Sequence, residues 1–466
     1  MYECMYVCMA LGVLIIVIPT KNNYAGDGKS HLTLQYNQLQ KSKKQAIMKR
    51  LIHVAFIAYI IIDNFYLRES LFEYTLPITK HLQKNYGFPS FIKFNRFMAY
   101  LLKPDICALF NIFYICITSN KYQALKSTMF QCFSLYALLF YKILMNDPRP
   151  YFVDPEIKGW ECYADFGNPS GHATSIWMFY GIMLTDIWRD IIPKYKDDSL
   201  KKFLINASFL SLFVFLFVGI VFCRIFLGVH SLNQVMMGTV FGIYIYLINL
   251  WYADNLIEKL FNYLRNNKIN VVYKLMSFSV AYFLMIQTPV EVYKMIETEV
   301  PEVWRQNILN SCQFEDHNMF YKVCFKACAT IGIAFGPLFA LTISKKANQI
   351  VLFEFSNKQM QSDYKVFSLK SILKALFGTA IFILVFAFFY KIYPISKVIK
   401  TIPIIYDKYL SMTLGSFFST FILTLVLPKL YGSDIRQRRK SSSQKSVEVV
   451  KNTPEQQPLL NDKKSD

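Results

Sequence analysis

Along most of the chain the apolar positions neither alternate nor form a stripe of period 3.6. They run on for about twenty residues and then break at short charged segments, and ~20 apolar residues is the length an α-helix needs to cross a hydrocarbon core. The pattern places spans at about 51–66, 98–118, 125–144, 171–188, 203–223 and 230–252, then four more at about 271–288, 320–343, 370–390 and 408–427. The stretch LINASFLSLFVFLFVGIVFC (204–223) is apolar on every side, so it lacks the polar stripe of a surface helix in a soluble protein. The predicted fold is all-α, a polytopic membrane helical bundle. Residues 1–50 form an N-terminal segment whose opening, MYECMYVCMALGVLIIVIPT, reads as an extra span, a signal peptide or a start-site artefact. Residues 51–252 form a six-span core and 253–427 a C-terminal transmembrane region of four further helices. Residues 428–466 are a basic, Ser-rich tail with the composition of disorder.

Composition sharpens this picture in two places. Of the 466 residues 54% are hydrophobic and 18% charged, where an ordinary soluble domain carries about 25% charged residues. The net charge of +20 would suggest nucleic acid in a soluble protein, but the Lys and Arg lie in short runs between apolar stretches, which fits basic cytosolic loops and no nucleic-acid partner. The ten Cys contain no CxxC pair and mostly fall within apolar stretches, where a free thiol behaves as a small hydrophobe. A zinc site is not expected.

Three short motifs sit at the ends of spans. The third span closes in YKILMNDPRPYF, which gives Lys142, six intervening residues, then Arg149 and Pro150. Taken alone, a Lys at a helix end snorkels and an Arg-Pro pair makes a turn. The next linker ends in NPSGHATS, so Pro169, Ser170, Gly171 and His172 open an apolar helix. The backbone amides of such a turn can bind an anion; an ordinary N-cap Ser beside a surface His is the plainer alternative. The fifth span closes in VFCRIFLGVHSLNQV, with Arg224, five residues, His230, three residues and Gln234. Ionisable groups at these depths are costly to place in lipid without a role. Both linkers emerge on the same side of the membrane, so the three motifs can meet. Together they offer three cations and backbone amides for a phosphate, with two imidazoles able to serve as nucleophile and acid. No carboxylate cluster accompanies them, which argues against a metal-dependent hydrolase, and no cofactor is expected.

The ordered set K-x6-R-P, P-S-G-H and R-x5-H-x3-Q resembles the signature of the type 2 phosphatidate phosphatase superfamily, which includes glucose-6-phosphatase and the sphingosine-1-phosphate phosphatases. The resemblance covers roughly residues 50–252, making that unit a phosphatase core. It implies a phosphoric monoester hydrolase in which His230 attacks phosphorus to form a phosphohistidine and His172 protonates the leaving alkoxide. It further implies that Lys142, Arg149, Arg224 and the amides of Ser170 and Gly171 hold the phosphoryl oxygens. The chain departs from the family pattern at Cys223, where Ser is usual, and at Gln234, where Asp is usual and glucose-6-phosphatase has Gln. His230 and Gln234 share a helix face, so the Gln carbonyl can accept the Nδ1–H of His230 and leave Nε2 free. The implied substrate is a lipid phosphate of the sphingosine-1-phosphate or phosphatidate type. A sugar phosphate hydrolase is the alternative, and a non-catalytic membrane receptor or adaptor is the alternative of another class.

Between the spans, the motif side carries 14 Lys and Arg and the opposite side 31, or 22 without the tail. By the positive-inside rule the motifs face away from the cytosol. The tail, on the cytosolic side, ends in Lys463, Lys464, Ser465 and Asp466, which resembles a dilysine retrieval signal read by cytosolic coat machinery; EQQPLL at 455–460 resembles an endosomal signal. The endoplasmic reticulum membrane is the expected location, with an endosomal or vacuolar membrane the alternative. Cys162 and Cys312 are the Cys that this topology puts in lumenal loops, where a disulfide is permitted and two free thiols are the other outcome.

Overall fold

The computed structural model describes residues 31–101, 103, 106–107, 112–113, 121–163, 165–185, 198–297, 300–312, 320, 322–344, 369–389 and 411–426. Residues 1–30 and the 428–466 tail with its sorting patterns lie outside them, as does most of the 98–118 span. By contact the chain divides into Met1–Ala58 and Tyr59–Asp466. Of the first unit, the described part is helix; the packing and the site described below belong to the second.

Among the described residues every regular element is helical. In chain order they are α1 (His31–Ile62), a π-helical turn at Asp63–Leu67, α2 (Arg68–Tyr86), α3 (Pro89–Leu101), α4 (Lys121–Met145) and α5 (Pro150–Val153). There follow α6 (Gly171–Ser175), continued by a π-helical turn at Ile176–Gly181, α7 (Ser199–Phe226), α8 (Leu232–Arg265) and α9 (Val271–Glu297). The last four are α10 (Glu302–Cys312), α11 (Lys322–Ile343), α12 (Leu369–Ala387) and α13 (Ser411–Val426). Among the described residues six helices are long and apolar enough to cross a membrane: Lys44–Tyr86, Leu125–Val153, Ser199–Phe226, Leu232–Arg265, Val271–Ile296 and Lys326–Ile343. The protein is an all-α, multi-pass membrane bundle.

Two stretches expected as loops are helical. The segment 67–97 forms α2 and most of α3, and the sixth span runs on from 252 to Arg265. Both contain enough charge to end an apolar run, yet neither contains a helix stop until Gly87 and Asn266. The extra helix buttresses the motif side. Gln83 on α2 donates to the carbonyls of Lys158 (2.9 Å) and Phe226 (3.1 Å) and accepts from the Lys158 amide (2.9 Å), while Thr75 accepts from the Leu232 amide at 3.0 Å.

The C-terminal helices pack on the core by two different means. Along α4 and α11 large side chains interlock: Leu125, Met129 and Cys132 share one buried cluster with Ile331, Phe335 and Leu338. Between α11 and α13 the contact is made by small residues. Gly332 and Gly336 are one turn apart and lie against Ser416 and Thr420, leaving no room for a Cβ at either glycine. This small-xxx-small arrangement lets two helices approach closely where lipid supplies no hydrophobic drive for association.

Candidate active site

Helix periodicity and two turns bring the functional side chains to one cavity. On α4 the residues Leu135, Leu138, Leu139 and Lys142 recur at i, i+3, i+4 and i+7 and line one cavity of about 550 Å³. The helix then ends at Asn146, which takes a left-handed conformation (φ 51°), and the chain turns so that Arg149 precedes α5. Arg224 lies in the last turn of α7. Gly228, at φ +71°, makes the turn that brings His230 back toward it. A side chain there would be strained in that conformation. Lys142, Arg149, Gly171, His172, Arg224 and His230 all line the same cavity, so the three motifs converge.

The hydrogen bonds around His230 assign its tautomer. Gln234 Oε1 lies 3.2 Å from His230 Nδ1 and accepts from the Ser231 amide at 3.3 Å, while Gln234 Nε2 donates to the Pro148 carbonyl at 2.6 Å. With its amide oriented in this way, the Gln oxygen can only accept, so Nδ1 carries the proton. On the other side of the ring Arg149 Nη1 is 3.2 Å from Nε2, and a guanidinium can only donate. Nε2 therefore carries the lone pair, which accepts from Arg149 in this structure. The turn at Leu227–Ser231 lies between spanning helices, and there burial, reinforced by Arg149, Arg224 and Lys142, holds the His230 imidazole well below its ordinary pKa. The ring stays neutral.

The two arginines are held very differently. Arg149 is almost saturated: Nε donates to the Asp165 carbonyl (2.7 Å), Nη1 to the Val229 carbonyl (2.8 Å) and Nη2 to the Asp165 carboxylate. Arg224 donates from Nη1 to Glu161 at 2.5 Å, and its Nε and Nη2 are buried without a partner. His172 Nε2 and the Ser170 hydroxyl are likewise buried and unpartnered. Unsatisfied groups of this kind are expensive in a closed interior, and here they cluster in and beside the cavity that must receive a ligand. Lys142 Nζ donates to the Phe166 carbonyl at 2.7 Å.

One expected role is corrected. The Ser170 amide does not face a ligand, because it donates to the Gln234 carbonyl at 2.9 Å and so ties the PSG turn to α8; Gly171 remains on the cavity wall. Four residues that the motifs do not mark also belong here. Asp165 pairs with Arg149 and Glu161 with Arg224. Burial alone would raise the Asp165 pKa, but Arg149, Lys142 and Lys326 outweigh it and hold the carboxyl well below the usual carboxylate range. Tyr163 presents its ring to both guanidinium groups, at 5.0 Å from Arg149 and 5.3 Å from Arg224, with its edge geometry to His172 at 6.0 Å between centroids. Lys326 enters the cavity wall from α11. The signal for the first three was their place in a short linker between two cationic motifs; Lys326 had no such signal.

Cys162 and Cys312 form a disulfide, with Cα atoms 5.6 Å apart across 150 residues of sequence. Beside it α10 docks on α5 through Asn307, which donates to the Phe152 carbonyl at 2.7 Å.

Comparison with curated proteins and with solved structures gives no match. Residues 124–258 match the family model of the PAP2 superfamily. That segment contains every motif residue from Lys142 to Gln234, and the match together with the spanning helices supports a membrane phosphatase of the PAP2 type.

Proposed function

We propose that the protein hydrolyses a lipid phosphate monoester, of the sphingosine-1-phosphate or phosphatidate type, through a phosphohistidine and without a metal. The observation that carries this reading is the two-ended cavity: Arg149, Arg224, His172 and His230 at one end, and Leu135, Leu138, Ile333, Phe382 and Phe386 at the other. A phosphate with a hydrocarbon chain complements both ends. A sugar phosphate would leave polar hydroxyls against aliphatic and aromatic walls, at a cost for each unpaired group.

In this mechanism the neutral His230 Nε2 attacks phosphorus as the ester P–O bond breaks, and His172 passes its proton to the departing alkoxide. Water then attacks the phosphohistidine; His172 takes its proton, and the P–N bond breaks to release phosphate and His230. Arg149 releases the Nη1–H that meets His230 once Nε2 attacks, and Arg224 has donors to spare, so both can hold the equatorial oxygens as charge builds on them. Asp165 and Glu161 are engaged by the arginines, which supports a site that works on cations alone. The Cys162–Cys312 pair supports a lumenal active site, since disulfides persist in oxidising compartments, and the charge asymmetry of the loops supports the same orientation. The endoplasmic reticulum membrane remains the proposed location.

The test is phosphate release by the purified chain from sphingoid-base phosphate, phosphatidate, prenyl diphosphate and glucose-6-phosphate, each with and without chelator. Chelator-resistant, vanadate-sensitive hydrolysis of a lipid monophosphate is expected. Preference for glucose-6-phosphate, or a requirement for added Mg²⁺, would overturn the reading.

A further inference from the structure

We infer that Lys326, on a helix outside the segment that matches the family model, is a phosphate-directed cation of this site and makes it selective for a phosphate dianion. The inference rests on the proposed reaction for its substrate class. Its basis is a pairing pattern around the cavity. Arg149 is opposed by Asp165 and Arg224 by Glu161, so each guanidinium is balanced by a carboxylate. Two lysines also line the cavity, Lys142 and Lys326. Lys142 donates to a carbonyl, which carries no net charge, and Lys326 has neither a hydrogen bond nor an ion pair among the described residues. Its charge nevertheless reaches Asp165 and His172. Lys326 thus adds a cation that no carboxylate among the described residues pairs with, and it complements the second negative charge that a phosphate monoester gains above its second ionisation, near pH ~6. A phosphodiester, with one negative charge, would leave a lysine without an anion.

The helix that delivers Lys326 is built to do so. On α11, Lys326, Ala329, Thr330 and Ile333 recur at i, i+3, i+4 and i+7, and all four line the cavity. The charged residue is at the end of this stripe that begins the helix, and the apolar Ile333 lies two turns further into the span. One face thus supplies a cation for the head group and a wall for the chain. The α4–α11 cluster and the close approach of α11 to α13 hold that face in place. Selectivity for the charge state of the substrate therefore comes from the C-terminal region, while the reacting groups come from the core.

The experiment uses the full-length protein in detergent micelles and compares wild type with Lys326→Gln and Lys326→Arg. Three quantities are read: KM and kcat for a long-chain alkyl monophosphate, the dissociation constant of inorganic phosphate, and inhibition by a dialkyl phosphate of the same chain length. Removing one charge near a dianion should raise KM and the phosphate dissociation constant about tenfold, with kcat within about threefold of wild type. Binding of the dialkyl phosphate, with half the charge, should change only about threefold, and the Arg variant should recover most of the loss. Unchanged phosphate affinity in the Gln variant, or an equal loss for both ligands, would overturn the inference. If wild type hydrolyses no monophosphate, the proposed reaction falls, and the phosphate dissociation constants still decide whether Lys326 binds the dianion.

Discussion

The floor and the wall of the cavity are built on different principles. The floor, from Lys142 to Gln234, is a set of charged groups held by backbone carbonyls and by one another in short turns; Arg149 alone touches Asp165, Val229 and His230. The wall, from α11 to α13, contributes Ile333, Phe382, Phe386 and Met412, side chains with no directional bonds that are placed only by helix packing. A floor of this kind fixes the chemistry to within a hydrogen-bond length and tolerates little change. A wall of this kind fixes only volume and polarity. The floor should therefore determine whether any substrate reacts, and the wall which one.

The largest effect should come from the floor. His230→Ala is expected to abolish turnover and covalent phosphate labelling, and His172→Ala to lower turnover by roughly 10²–10⁴-fold while still labelling with a good leaving group. Both losses should be the same for short and long chains. Full activity in either variant, measured by phosphate release, would break the assignment of roles.

Next in size is the support of Arg149. Asp165→Asn leaves a buried guanidinium without its counter-ion, and breaking such a pair costs about 3–5 kcal/mol, to be read from thermal unfolding in detergent at pH 7. The sign with pH is defined. Because the folded-state pKa of Asp165 lies below its ordinary value of 3.8, its stabilisation is complete above that value and is lost as pH falls through and below it. Wild type should lose stability in that window and the Asn variant should not. Parallel curves would show that Arg149 is held without its carboxylate.

The wall should give a smaller effect that depends on the substrate. Ile333→Trp fills part of the apolar end, so KM for a long-chain monophosphate should rise about tenfold while a short-chain analogue is little affected, a discrimination typical of apolar pockets. Equal losses for both chains would erase the distinction between floor and wall.

How much of this was legible beforehand follows the same division. The motif residues lie within a few positions of one another at span ends, so their spacing alone placed them on one side of the membrane, and even the Gln234–His230 contact could be read from a four-residue separation at a helix start. Asp165, Glu161 and Tyr163 were less legible, because a linker without regular periodicity does not say which residues fold inward. The cap formed by α2 was hidden by its composition: RESLFEYTLPITKHLQKNY reads as a loop by charge, though it is a helix with Pro77 inside it. Lys326 was not legible at all. Nothing in 322–343 distinguishes a lysine that enters a cavity from one that reaches toward lipid head groups until α4 is packed beside it.

The smallest predicted effect tests the finest contact. Gln234→Asp keeps an acceptor at His230 Nδ1 and adds a negative charge, which favours the protonated imidazole. The acidic limb of the kcat profile, which reports the substrate-bound state, should move to higher pH by ~1 unit. Gln234→Leu removes the acceptor and should lower kcat with little change in phosphate affinity. An unmoved limb together with normal turnover in the Leu variant would mean that the 3.2 Å contact does not act in the enzyme.

The bond between Cys162 and Cys312 has a consequence for the order in which the protein matures. It joins the linker that carries Glu161, Tyr163 and Asp165 to a helix 150 residues further along, and Lys326 follows that helix by one short segment. During synthesis at the translocon, the motif residues are all in place once α8 has been inserted, yet the cavity still lacks its wall and the linker still lacks its tether. On the proposed lumenal orientation the tether closes only after α10 has reached an oxidising compartment, and the cavity gains its wall only once α11 has entered the membrane. A nascent chain halted before that point would carry every motif residue without the wall that the later helices supply.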